Sequence, residues 1–148
     1  MGAPRDTPIT ADPFALRRFV DAQAPIVEQV LQELRQGRKR SHWMWFVFPQ
    51  IAGLGHSETA RHFAIGSRAE AAAYLAHPIL GARLVECSRL VHAVEGRSAR
   101  EIFGPPDDLK FHSSMSLFAI VAPEQAIFQD NLRKYFAGTL DRATVERL

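Results

Sequence analysis

The sequence predicts an all-α fold, about seven to nine short helices around one core with irregular connections. Three observations predict it. Leu80, Leu84, Cys87, Val91 and Val94 recur at intervals of three and four, which is one continuous helical stripe. The capping-box pattern S-x-x-E occurs at Ser67–Glu70 and again at Ser98–Glu101, each just ahead of apolar residues. No two apolar runs are joined by the tight Asn-Gly or Asp-Gly turn of a β-hairpin.

The elements follow in chain order. Residues 1–11, with Gly2, Pro4 and Pro8, read as a flexible leader, and residues 12–148 as a single helical domain. Asp12 before Pro13 reads as an N-cap followed by a first-turn proline, opening a helix through Phe14, Leu16, Phe19 and Val20. Pro25 restarts a helix carrying Ile26, Val30 and Leu34, with Val27 and Leu31 beside them and Gly37 as its stop. The apolar run Trp43 to Phe48 is ambiguous by periodicity, and Ser41 as a cap and Pro49 as a stop favour a helix. Ser57 opens a short helix and Ser67 the next. Pro78 begins the long striped helix that Gly96 ends, and Ser98 caps another. Pro105-Pro106 precede a helix with Phe111, Met115 and Phe118 on one side. Pro123 starts a helix carrying Phe128, Leu132, Tyr135 and Phe136, ended by Gly138, and Asp141 caps a last turn or two.

Composition narrows the function classes. A chain of 148 residues that is 47% hydrophobic and 23% charged has the makings of one folded core and not of a disordered chain. The formal charge of +2 does not by itself call for a nucleic-acid partner. The single cysteine, Cys87, excludes an internal disulfide and sits on the apolar stripe, where a buried, inert thiol is expected. No apolar run reaches the length of a membrane span, and Met1 to Thr10 lack the apolar stretch of a secretory signal, so a cytoplasmic protein with no membrane partner is expected. The six histidines include no ligand pair such as H-E-x-x-H, so no metal and no cofactor are expected.

Two stretches concentrate unlike polar groups. The first, residues 37–57, sets Arg38, Lys39, Arg40 and His42 before Trp43 and Trp45, then supplies Gln50, a Gly53-x-Gly55 turn, His56 and Ser57. Guanidinium groups grip phosphate or carboxylate, indoles stack on planar rings, and a glycine turn can offer backbone N–H groups to an anion. The plainer reading makes both tryptophans core and the basic run a solvated helix end. The second, residues 105–116, holds Asp107, Asp108, Lys110, His112, Ser113 and Ser114 within a few helical turns. Here the plainer reading makes the acids partners of the helix dipole and the serines packing residues.

These motifs carry a resemblance. The run Gly37-Arg38-Lys39-Arg40-Ser41-His42-Trp43-Met44-Trp45-Phe46, with Phe48-Pro49-Gln50 and Gly53-Leu54-Gly55, resembles a family of small bacterial proteins of unknown function. Asp12-Pro13-Phe14, His77-Pro78, Ile102-Phe103-Gly104 and Ser113-Ser114-Met115-Ser116-Leu117-Phe118 match it as well, so the likeness runs almost the whole length. The resemblance implies a mainly helical single domain and no activity. The "calpastatin" label sometimes given to such proteins does not suit a chain with 10 phenylalanines and 2 tryptophans, many at helical spacing, since calpastatin-type inhibitors are disordered.

The functional expectation is a site for a small anionic planar ligand such as a nucleotide-like metabolite, with hydrolysis left open. Arg38, Arg40, His42, Trp43, Gln50, His56, Lys110 and Ser113 would bind it, and Asp107 or Asp108 would serve as general base. Two alternatives stand beside it: a single-stranded nucleic-acid-binding module, disfavoured by the small net charge, and a non-catalytic protein-interaction domain. Whether the chain is an enzyme, and its oligomeric state, are not legible.

Overall fold

The computed structural model describes residues 11–148. All but Ala11 of the expected leader lies outside them. The all-α expectation holds: the described residues form ten helices and no strand, the one extended pairing being a parallel bridge between Ile51 and Ile65. The count passes the expected seven to nine because several helices span only a turn or so. The helices are α1 (Arg17–Gln23), α2 (Val27–Arg35), α3 (Met44–Val47), α4 (Glu58–His62), α5 (Arg68–Ala76), α6 (Leu80–Ala93), α7 (Ala99–Phe103), α8 (Asp107–Val121), α9 (Ala126–Phe136) and α10 (Arg142–Glu146).

Helix α8 is the axis of the fold. It packs against α3, α5, α7, α9 and α10. Its sequence explains why: Phe111, Ser113, Ser114, Met115, Ser116, Leu117 and Phe118 are all buried, so its middle is enclosed on every side rather than amphipathic. Small serines let neighbours approach, while the aromatic rings lock layers together. Phe111 meets Phe48 edge-on at 5.1 Å and stacks on Phe103 at 4.6 Å, and Phe118 lies 5.7 Å from both Tyr74 and Phe128. Helix α6 closes the other side, packed on α2, α5 and α9. Gly81 sits where a Cβ would lie 2.0 Å from the Leu75 carbonyl oxygen, so only glycine lets the start of α6 pass the end of α5.

Helix ends follow local chemistry. Ser57, Ser67, Ser98 and Asp141 each accept a hydrogen bond from the backbone N–H three residues on, and Ser98–Glu101 forms a complete capping box. After α2, Gly37 adopts φ +70° while its N–H reaches the Leu34 carbonyl and the Arg38 N–H reaches that of Glu33, a Schellman ending.

Two expected caps behave differently. Asp12 does not open a helix at Pro13. Residues 12–16 form a turn with Ala15 at φ +52°, and the Asp12 carboxylate reaches forward to the N–H groups of Leu16 and Arg17 at 2.8 and 2.9 Å. Arg18 fixes this turn. Its guanidinium donates to the carbonyls of Phe14, Ala15, His62 and Ala64 and to Glu70 at 2.7 Å, occupying every N–H of the fork. Ser41 does not cap α3 either, because Glu33 takes its hydroxyl.

Candidate functional site

The chain from Gly37 to Trp43 has no regular structure of its own, so buried polar partners must fix it. Glu33 does this. It lies on the inward stripe of α2 beside Val30 and Leu34 and is 4% exposed. Its carboxylate accepts the backbone N–H groups of Arg40 (2.8 Å) and Ser41 (3.1 Å), the Ser41 hydroxyl (2.7 Å), the Trp43 indole N–H (3.0 Å) and the Gln29 amide (3.1 Å). Burial pushes its carboxyl up, but the hydrogen bonds from Arg40, Ser41, Trp43 and Gln29 outweigh it and hold the group at about 2.

With Glu33 gathering the turn, the side chains beyond it sort to two sides. Arg38 and Arg40 are exposed, and Lys39 between them turns inward with 7% of its side chain exposed, the alternation of an extended segment. The Lys39 ammonium meets Asp107 at 2.8 Å and lies 5.0 Å from the centre of the Trp43 ring. Lys110, one turn along α8 from Asp107, approaches the same carboxylate at 3.4 Å and lies over the Trp45 ring at 4.7 Å. The two polar stretches therefore meet, at Lys39–Asp107 and Trp45–Lys110. Trp45 is half-buried, and Lys110 keeps 23% of its side chain exposed. Asp108, next to this cluster, has one buried carboxylate oxygen with no hydrogen-bond partner among the described residues.

The other expected site residues stand elsewhere. Trp43 is 0% exposed and is tied to Glu33, so neither face of its ring is open to stacking. His42 and His56 are exposed and Gln50 is half-buried. No ion pair, hydrogen bond or ring contact among the described residues joins the side chains of Arg38, Arg40, His42 or His56 to Asp107, Lys110 or Ser113. Ser113 is buried and donates to the Leu109 carbonyl at 3.1 Å and to Asp141 at 3.0 Å. Ser116 bonds the Asp141 N–H at 2.8 Å, so these serines dock the start of α10. His112 stacks on Phe136 at 4.0 Å and bonds the Thr139 carbonyl at 2.7 Å. The Gly53 carbonyl accepts from Arg147 at 3.1 Å, and Gly55 packs where a Cβ would press on Ala60, so the glycine turn ties down the C-terminal end of the chain. Cys87 is buried and its thiol is pushed up to about 12 by burial, as an inert core residue requires. No group of three or more potential metal ligands occurs among the described residues. None of the described helices is long and apolar enough to cross a membrane.

Sequence reasoning passed over Glu33, and it named Lys39 and Trp45 in the first polar stretch without placing them among the residues that bind the small ligand. Glu33 carried a readable signal: an acid at an inward position of an otherwise apolar helix stripe calls for buried donors.

Comparison with known proteins agrees with this fold. A conserved hypothetical protein of Mycobacterium tuberculosis, Rv1873, has a crystal structure that superposes with a TM-score of 0.92. The two are 58% identical over 93% of this chain and 98% of that one. No curated protein matches. The family model described as a protein of unknown function, DUF1810, matches residues 13–148. The chain belongs to that family.

Proposed function

We propose that the chain binds a small anionic, planar ligand of the nucleotide or ADP-ribose type at the face formed by Trp45 and Lys110. The supporting observation is the meeting of the two polar stretches there: a half-buried indole lies under an ammonium group whose one carboxylate partner among the described residues, at 3.4 Å, is shared with Lys39. An ammonium held that loosely can turn to a ligand's phosphate or carboxylate, and the indole, only half-buried, can receive a ring as the ammonium swings away. Lys39, nearly enclosed and closer to Asp107, keeps that acid in place. If turnover accompanies binding, Asp108 is the base, because it forms no ion pair among the described residues while Asp107 is engaged by two lysines. A nucleic-acid module built on paired indoles is less favoured, since Trp43 is enclosed.

A thermal-shift screen of nucleotides, nucleotide sugars and ADP-ribose tests this reading. A ligand present at about a hundred times its Kd stabilises by about 2.7 kcal/mol, which raises the Tm of a domain this size by roughly 5–10 °C. Lys110→Ala and Trp45→Ala should each abolish the shift. A screen in which nothing shifts, or a hit that both variants retain, removes the proposal.

A further inference from the structure

We propose that His77 is a pH-sensitive cap, an imidazole that holds the start of α6 while neutral and releases it when protonated. The residue stands at the corner where α5 ends and α6 begins. Its backbone is extended, at φ −67° and ψ 129°, and its carbonyl accepts the Gly81 N–H at 2.9 Å. His77 is therefore in the N-cap place, and the helical hydrogen bonding of α6 starts one turn ahead of Gly81. Pro78, next in line, has no N–H to satisfy. The two N–H groups that follow both turn to the His77 ring: Nδ1 accepts from Ile79 at 3.1 Å and from Leu80 at 3.3 Å. One residue thus holds the whole opening turn of α6.

These donors fix the state of the ring. A backbone N–H can only donate, so Nδ1 carries a bare lone pair and the proton of the neutral ring sits on Nε2. Protonation fills that lone pair. The imidazolium has two donors and no acceptor, and its charge faces the positive end of a 14-residue helix. The caps at Ser57, Ser67, Ser98 and Asp141 use hydroxyls or a carboxylate. Imidazole is the side chain whose ordinary charge change falls between pH 5 and 8.

The charges around the ring leave the cap in control. A trough beside it is lined by Asp12, Arg17 and Asp21 from the α1 side. Arg17 opposes an imidazolium. Asp12 and Asp21 favour one, but Asp12 already takes the Leu16 and Arg17 N–H groups, Asp21 pairs with Arg17, and solvent screens both exposed carboxylates. On α6, Arg83 turns to Gln23, and on α5, Glu70 is held by Arg18. Farther round the corner, Arg89 and Glu124 line a groove with Ala76 and Ala82 and carry opposite charges. His77 forms no ion pair among the described residues, so no close partner offsets the loss of its two bonds. The folded chain holds the neutral ring more firmly, so this stability is present at pH 8 and is lost as the pH falls. The cap does not depend on a ligand at the Trp45–Lys110 face.

An NMR titration from pH 8 to pH 5, on the wild type and on His77→Asn, tests it. Asparagine keeps a cap acceptor and does not titrate. At pH 8 the wild-type ring should carry its proton on Nε2, read from long-range ¹H–¹⁵N couplings. As the ring titrates, the Ile79 and Leu80 amide signals should move with the same midpoint, and in His77→Asn they should hold still. Melting gives a second readout: between pH 8 and pH 5 the wild type should lose about 2–5 °C of Tm relative to the variant. A ring proton on Nδ1 at pH 8, amides that do not follow the ring, amides that move equally in His77→Asn, or no loss of Tm relative to the variant would each overturn the proposal.

Discussion

Glu33 and Asp107 are both carboxylates placed where the segment 38–43 meets a helix, yet their surroundings are opposite in kind. Glu33 is buried and takes five hydrogen bonds from neutral donors, none of them a cation. Asp107 is partly exposed and takes two ammonium groups, one close and one loose. The first arrangement is closed: every donor around it is spent on holding the loop. The second keeps a loosely paired, partly exposed cation beside a half-buried indole. Clustering of polar residues in a sequence does not separate the two cases. What separates them is whether the partners are saturated, because a saturated buried network specifies structure while an unsaturated, partly exposed one can still exchange partners.

The largest effect expected from breaking this contrast is at Glu33. Glu33→Leu removes the acceptor for the Arg40 and Ser41 N–H groups and the Trp43 indole at once, leaving buried donors unpaired. A loss of about 3–5 kcal/mol is expected by urea denaturation. A loss under about 1 kcal/mol would mean that the loop is held by other means.

Acid should reach the same group in the wild type. The folded-state carboxyl is held at about 2 against an ordinary 4.5, so the folded protein binds fewer protons than the unfolded chain between those values. Stability from Glu33 is then fully present above about pH 5 and is lost as pH falls toward 2, by about 3 kcal/mol in all. Melting curves across this window should slope less steeply in Glu33→Leu than in the wild type, and equal slopes would assign the acid sensitivity to other carboxylates.

Smaller effects are expected at the Asp107 centre. Lys39→Met leaves Asp107 with its weaker partner and should lower stability by about 1–3 kcal/mol. Lys110→Ala should change it by less than about 1 kcal/mol, as partly exposed pairs do. The order matters more than the values: if Lys110→Ala destabilises more than Lys39→Met, Lys110 is a structural brace and not a free cation.

Much of this molecule was legible in its sequence. Ser67, Ser98 and Asp141 cap the helices their spacing implies, Gly37 ends α2, and the stripe from Leu80 to Val91 is buried as its period requires. These features depend on neighbours three or four residues away, which a sequence displays directly. Ser41 had the same appearance as the true caps, but a carboxylate eight residues upstream competes for its hydroxyl. The candidate site was legible only as two regions that meet. Within the first, Arg38 and Arg40 looked better equipped than Lys39, and extended alternation turned the lysine inward instead. Ser113 and His112 looked chemical and are committed to the C-terminal segment through Asp141 and Thr139, partners nearly thirty residues away. Pairings of that range follow from tertiary packing and leave no local pattern.

The contrast between the two tryptophans offers the most direct test of the proposed ligand face. Trp43 and Trp45 each carry one indole N–H, one bound to buried Glu33 and the other on the ring that lies beneath Lys110. In a ¹H–¹⁵N correlation spectrum of labelled protein titrated with ADP-ribose, and with each ligand that raises the Tm, the Trp45 indole resonance should move progressively to saturation while that of Trp43 stays in place. Movement of neither signal with any of these ligands, or of Trp43 alone, would contradict binding at the Trp45–Lys110 face.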